Sequence, residues 1–414
     1  MRRNIGVLSL GCPRNVVDTE VIVSRLKKKN YQIVDIDKAK IALVNTCAFI
    51  KEAVEESCTV IRQLIDLKRE GKIKKIIVYG CLVERYKNKL LRYLKDVDAL
   101  VGRISINGVL RNCFITPHYF AYLKICEGCL NACSFCTIPK IKGNFESRTP
   151  QSIIKEVRFL DKKGIKELNI VGQDISLYGK DISKDINLTS LLKEILKNTS
   201  QIRWIRLLYL YPHNISDELL GLINKEERIC KYIDLPLQHI NNRILKLMNR
   251  KITKEEIIEL IKKIRKTIPS VFIRTTLMVG FPTETDKEFE ELIDFVKEFK
   301  FERLGAFIYS RETQTPAYDF KPQIPFSVKK KRFGQLMQVQ QEISRKINER
   351  FLGKTVDILI EESQNSHYLG RTVYDAPEVD GAVWVKSNHP LKIGDIQKVK
   401  IVDTLEYDLV GEAI

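Results

Sequence analysis

Cys129, Cys133 and Cys136 stand in C-x3-C-x2-C spacing within EGCLNACSFCTIPK. Thiolates are the usual protein ligands of iron–sulfur clusters, and this spacing puts three of them on one tight loop. Three thiolates on a [4Fe–4S] cubane leave one iron open to a further ligand. A structural zinc site wants four ligands. Cys126 would complete a C-x2-C-x3-C-x2-C set, so a zinc loop is the competing reading; otherwise Cys126 is a packing residue at a strand end. Three more cysteines lie upstream: Cys12 in SLGCPRNVVDTE, Cys47 in VNTCAFI and Cys81 in VYGCLVE. Scattered thiols are often simply buried, so what matters is whether the chain brings these three together.

The elements around them predict that it does. Asn4 to Leu10, Ile41 to Asn45 and Lys75 to Tyr79 read as short apolar strands, separated by helical stretches at Asp18 to Lys29 and Ala53 to Arg69. This βαβαβ alternation gives a parallel sheet, whose ligands collect at the carboxyl ends of the strands. Cys12, Cys47 and Cys81 each follow a strand directly. A second series opens at Tyr119 to Ile125. It alternates helix and strand through Glu167–Val171, Trp204–Leu210, Tyr232–Leu235, Phe272–Val279 and Arg303–Tyr309, as a full or partial (β/α) barrel would. Val328 to Arg350 reads as a long charged connecting helix. From Lys354 onward, five short strands between turns predict a small antiparallel β-barrel.

A chain of 414 residues is expected to form two or three domains. The divisions fall at 1–117, 118–350 and 351–414. Ten cysteines behind an N-terminus with no signal-peptide pattern point to a reducing, cytoplasmic setting and to metal or redox chemistry rather than a disulfide scaffold. No apolar run approaches the ~20 residues that span a bilayer, so no membrane partner is expected. The net charge of +18 is uneven: +11 over residues 1–117, +12 over the middle and −5 over 351–414. A basic body suits a polyanion or a ribonucleoprotein partner. An acidic end domain should repel a phosphate backbone and attract a basic protein.

C-x3-C-x2-C after the first strand of a βα series resembles the radical S-adenosylmethionine (SAM) superfamily, and Phe135 matches the aromatic residue that commonly precedes its third cysteine. The resemblance implies SAM on the open iron and reductive release of an adenosyl radical. It also implies that Gly172-Gln173-Asp174 meets the SAM amino group, that Gly280 lies at the adenine, and that Gln238 and Arg274 face SAM. Over the whole chain the sequence resembles the methylthiotransferases. The segments holding Cys12, Cys47 and Cys81 are similar to that family's N-terminal domain, and IDLPLQH at 233–239, LMNRKIT at 247–253 and MVGFPTET at 278–285 are further matches. The resemblance implies a second [4Fe–4S] cluster on Cys12, Cys47 and Cys81 that carries the sulfur to be inserted, and a C-terminal TRAM barrel that binds substrate. Cys58, Cys113 and Cys230 match no ligand position and are packing residues.

GCPRNVVDTE at 11–20, RLLYLYP at 206–212, YDAPEVDG at 374–381 and EYDLVGE at 406–412 resemble the RimO-type branch. That branch adds a methylthio group to the β-carbon of an aspartate in small-subunit ribosomal protein S-twelve. Glu378 and Asp380 are the expected substrate-binding acids, and a flavodoxin or ferredoxin is the expected low-potential electron donor. Hydrogen abstraction by a radical needs no acid–base residue, so none is nominated. The alternatives are a tRNA adenosine methylthiotransferase and, from a different class, a zinc-bearing non-catalytic RNA-binding protein. YSRETQTPAY at 309–318 departs from the family by lacking its Glu-Gly pair.

Overall fold

A computed structural model describes residues 3–92, 94–103, 111–364 and 367–414 of the chain. The N-terminal region is a five-stranded parallel sheet in the order Tyr31–Val34, Arg3–Ser9, Ile41–Thr46, Lys75–Gly80, Ala99–Val101. The three central strands are those expected from the sequence. The two edge strands escape the sequence pattern because they hold only four and three residues, too few to show a period. Helix Pro13–Lys28 leads from Arg3–Ser9 to the edge strand Tyr31–Val34, and helix Lys51–Arg69 connects the central strands Ile41–Thr46 and Lys75–Gly80. Ala42, Val44, Ile76 and Val78 pack with Ile61 and Leu64 in one core, as expected for strands covered by helices.

The second region is a six-stranded parallel sheet in chain order: Phe120–Lys124, Glu167–Val171, Trp204–Leu207, Ile229–Gln238, Phe272–Val279 and Arg303–Ile308. Its first and last strands are edges, so the barrel is partial. Helices begin where their capping residues say they should. Asn187, Thr253 and Thr285 each form a capping box with the residue three positions on, which satisfies amide groups that the first helical turn leaves unpaired. The connecting helix runs Phe326–Asn348.

The last region is a closed five-stranded barrel, ordered Thr355–Gln364, His367–Thr372, Val383–Lys386, Leu409–Ala413, Ile396–Thr404. Four of its pairings are antiparallel, and Val383–Lys386 with Leu409–Ala413 is parallel.

Buried charge joins the three regions. Arg111 reaches Glu20 on the first helix and Glu156 on the barrel side. Glu167, fully buried, receives Arg206 from its own sheet at 2.8 Å and Arg371 from the C-terminal barrel at 2.7 Å. Tyr374 stacks on Phe272 with ring centroids 4.2 Å apart.

Candidate functional site

Cys12 precedes helix Pro13–Lys28, Cys47 follows strand Ile41–Thr46, and Cys81 opens helix Cys81–Tyr86 directly after Lys75–Gly80. All three therefore lie at the carboxyl end of the parallel sheet. Gly11 brings the first two together. It sits at φ +88°, and a Cβ there would stand 2.6 Å from Cys47 Cβ and 3.0 Å from its Sγ. Asn15 then ties the loops: its Nδ2 donates to Leu10 O at 2.8 Å and Thr46 O at 3.2 Å, and its Oδ1 lies 3.7 Å from Cys81 Sγ. The thiols differ in acidity. Burial would raise Cys12, but the Arg14 guanidinium, with Nε 3.3 Å from Sγ, outweighs it and holds the thiol at about 7. Burial pushes Cys47 up, and pushes Cys81 to about 11 with help from the neighbouring Cys47 and Cys12.

Cys129, Cys133 and Cys136 occupy the loop after strand Phe120–Lys124. The Asn131 amide donates to Cys129 Sγ at 3.4 Å, and Arg250 Nη1 lies 3.7 Å from Cys133 Sγ. Burial, then the charges of Cys133 and Cys129, raise Cys136 to about 12. Cys126 stands apart. It is fully buried in a two-residue strand against Ser147, and a Cβ on Gly172 would come within 2.5 Å of its Sγ. Among the described residues no three His, Cys, Asp or Glu side chains are drawn in closely enough to hold a metal ion. A zinc site needs four ligands around one point, whereas the thiolates of a cubane bind separate irons and are spread across it.

Of the residues expected at SAM, Asp174 is tied to this loop by a hydrogen bond and Phe135 belongs to it. Asp174 is buried, accepts Asn131 Nδ2 at 2.8 Å and caps the short helix that follows; burial raises its carboxyl above the usual range. Both amide atoms of Gln173 and the Oε1 of Gln238 are buried without a hydrogen-bond partner. Such groups are costly unless a ligand satisfies them. Gln238 sits at φ +75° beside a register shift in its strand, and Tyr209 at φ +67°. Left-handed non-glycine residues of this kind concentrate at working sites. Gly280, at φ +72°, backs onto the Lys329 side chain, where a Cβ would stand 2.4 Å away. Phe135 packs edge-on against Phe281 at 6.5 Å. Unpaired buried amides and an all-thiol loop fit an iron–sulfur cluster carrying an amino-acid-bearing ligand.

Arg14 lies between the two cysteine sets. Besides Cys12 it donates to Gly172 O at 3.0 Å and stacks over the Tyr209 ring at 4.5 Å; its charge reaches Cys136 as well. Beyond Tyr209, Asp234 and Asp380 flank Arg274, each at 3.3 Å. Asp380 also accepts the Tyr232 hydroxyl at 2.6 Å. Asp380 and Arg274 are thus largely engaged with each other. Glu378 accepts the Tyr122 hydroxyl at 3.0 Å and remains exposed.

Residues 123–296 match the Radical SAM superfamily, residues 4–102 the uncharacterized protein family UPF0004, and residues 352–414 the TRAM domain. The chain is 45% identical to the ribosomal protein uS12 methylthiotransferase RimO of Thermoanaerobacter sp. (strain X514), over 99% of this chain and all of that one. It is 43% identical to RimO of Clostridioides difficile (strain 630), over 99% of this chain and 98% of that one. The chain belongs to the RimO family. It is a radical SAM methylthiotransferase, and this membership carries SAM and a [4Fe–4S] cluster as cofactors. The fold also matches the radical SAM methyltransferase TsrM of Kitasatospora setae with cobalamin and [4Fe-4S] cluster bound, at TM-score 0.56, 14% identity, 77% of this chain and 74% of that one. No helix among the described residues is long and apolar enough to cross a membrane.

Arg14, Asn15, Tyr209 and Arg250 were not singled out from the sequence. They lie inside quoted motifs, in GCPRN, RLLYLYP and LMNRKIT, so their signal was adjacency to a cysteine or a conspicuous word.

Proposed function

We propose that the chain methylthiolates the β-carbon of an aspartate in ribosomal protein uS12, using two [4Fe–4S] clusters, one on Cys129, Cys133 and Cys136 and one on Cys12, Cys47 and Cys81. One SAM would give its methyl group to a sulfur held at the second set, and a second SAM, reductively cleaved at the first set, would supply the hydrogen-abstracting radical. The observation that carries this reading is the pair of separate cysteine sets with one arginine between them. The divisions 1–117, 118–350 and 351–414 then correspond to sulfur delivery, radical generation and substrate recognition. The electron donor is a low-potential protein of the flavodoxin or ferredoxin class, and the setting is cytoplasmic.

The chain's own side chains have distinct tasks in this scheme. Gln173, Gln238 and Asp174 hold the amino-acid end of SAM, and the strand end at Gly280 lies at its adenine. Phe135 seals the cysteine loop against Phe281. Arg14 is the cation best placed for the carboxylate of the target aspartate, since Arg274 already has two carboxylates. Glu378, which is exposed, attracts a basic protein, while Asp380 and Arg274 fix the loop that presents Glu378. Water exclusion matters more here than proton transfer, because a carbon radical must collect its sulfur before other partners do.

The test is anaerobic reconstitution with SAM, a reductant and either uS12 or tRNA, followed by mass spectrometry. A methylthio group on a uS12 aspartate is the expected result. Product on tRNA adenosine and none on uS12 would overturn the assignment. A protein with stoichiometric zinc and no acid-labile sulfide would overturn the chemistry altogether.

A further inference from the structure

The stretch 309–318 carries a buried carboxylate that nothing in the proposed chemistry uses. Glu312 is 6% exposed at its side chain, and its partner Arg85 is 1% exposed. Arg85 Nη2 donates to Glu312 Oε2 at 2.7 Å, and Arg85 Nη1 donates to Ala48 O at 2.7 Å, next to Cys47. The Lys51 backbone amide donates to Glu312 Oε1 at 2.8 Å. Lys51 is the first residue of helix Lys51–Arg69, whose own N-cap, Ile50, offers no side-chain acceptor. Glu312 therefore caps, from another region of the chain, the helix that starts four residues after Cys47. Ser310 donates to the same carboxylate, and Thr315 Oγ1 closes the turn on Glu312 O at 2.7 Å.

The other end of the stretch holds the other cysteine loop. Ala317 N donates to Ser134 O at 2.8 Å, and Ser134 lies between Cys133 and Cys136. One direct bond runs parallel to this route, from Thr137 Oγ1 to Phe49 O at 3.0 Å. The missing family Gly is replaced by Gln314, which takes up the left-handed turn at φ +72°; the turn survives the substitution.

We infer that residues 309–317 form a strap that sets the separation of the two cysteine sets, with Glu312 as its positioning residue. This rests on the reading that both sets hold clusters. A buried carboxylate satisfied by three donors is rigid, and removal leaves the Arg85 charge buried and unpaired. A helix cap is worth ~1 kcal/mol, but the consequence here is positional. Displacing one reactive group by ~1 Å can slow a step by about a hundredfold.

The test compares wild type, E312A and E312Q, reconstituted and reduced. Two quantities are read: the magnetic coupling between the two reduced clusters by electron paramagnetic resonance, and the ratio of 5′-deoxyadenosine to methylthiolated product. E312A is expected to weaken or broaden the coupling and to raise the ratio by roughly tenfold to a hundredfold. E312Q, which keeps an acceptor for Lys51 N, is expected to fall between. In the metal-free chain, hydrogen exchange at the first turn of helix Lys51–Arg69 should accelerate in E312A. Unchanged coupling together with an unchanged ratio in E312A would overturn the strap. If E312A does not fold, E312Q carries the same criteria, and a wild-type coupling and ratio in E312Q would overturn it. Failure of the uS12 assignment would look different: wild type would yield no uS12 product while the coupling still responded to E312A.

Discussion

At the scale of single residues, two positions bear the site's geometry. Gly11 combines a left-handed backbone with contact on Cys47, so Gly11→Ala meets both a conformational cost of ~1–2 kcal/mol and a steric clash. The variant should fold, hold the barrel cluster and lose roughly half its iron and sulfide, as measured by iron and sulfide analysis after reconstitution. Full metal content would show that the Cys12–Cys47 approach is not needed. In the proposed reading Arg14 would offer the substrate a charge-assisted hydrogen bond, a class worth ~1.5–3 kcal/mol. Arg14→Gln should therefore raise KM for a uS12 peptide by roughly tenfold to a hundredfold, with Arg14→Lys recovering part of it. An unchanged KM in steady-state assays would remove Arg14 from substrate binding.

At the scale of elements, the helix Asp286–Phe299 shows how local sequence supports the site at a distance. Thr285 and Glu288 form its capping box, and Glu288 also pairs with Arg243, which in turn holds Thr283 in the turn after Gly280. Thr285→Ala should cost ~1 kcal/mol, read as a lower denaturant midpoint. Glu288 has a pH signature as well. Partial burial opposes its charge, but hydrogen bonds from Arg243 and Thr285 outweigh that and bring the carboxyl down to about 2 from 4.5. A carboxyl lowered in the fold contributes stability above its unfolded value and loses it as pH falls. The contribution should be intact above pH 4.5 and fade toward pH 2. Glu288→Gln should flatten that part of the stability curve; an unaltered acid limb would discount the pairing.

At the scale of the molecule, the regions are joined through buried ion pairs rather than a broad apolar seam alone. Arg371 serves Glu167 of the barrel sheet and Glu361 of its own barrel, both at 2.7 Å. Replacing it with Met leaves Glu361 without its cation and Glu167 with Arg206 alone. Breaking a buried pair this way costs ~3–5 kcal/mol. The expected outcome is a marked loss of stability in denaturant titration, accompanied by loosened C-terminal barrel protection in hydrogen exchange. A midpoint within error of wild type would mean the two carboxylates are solvated or protonated in place.

The chemistry and the order of the parts are legible along the chain. Cysteine spacing is local, so Cys129, Cys133 and Cys136 predict a cluster loop without any knowledge of the fold. Strand ends are also local, so Cys12, Cys47 and Cys81 could be placed on one edge of a parallel sheet in advance. The family words, and the turn from alternating βα units to short strands near residue 354, marked the three regions. Tertiary structure alone decided what each polar residue faces. Asp380 reads as an exposed acid in YDAPEVDG, yet it is buried against Tyr232 and Arg274, 148 and 106 positions away. Glu312 looks like an ordinary loop acid, yet it caps a helix 261 residues upstream. Charge partnerships of this kind depend on which surfaces pack together. Chain spacing carries no trace of that, because a buried ion pair is selected by the low-dielectric contact it sits in and not by its neighbours in sequence.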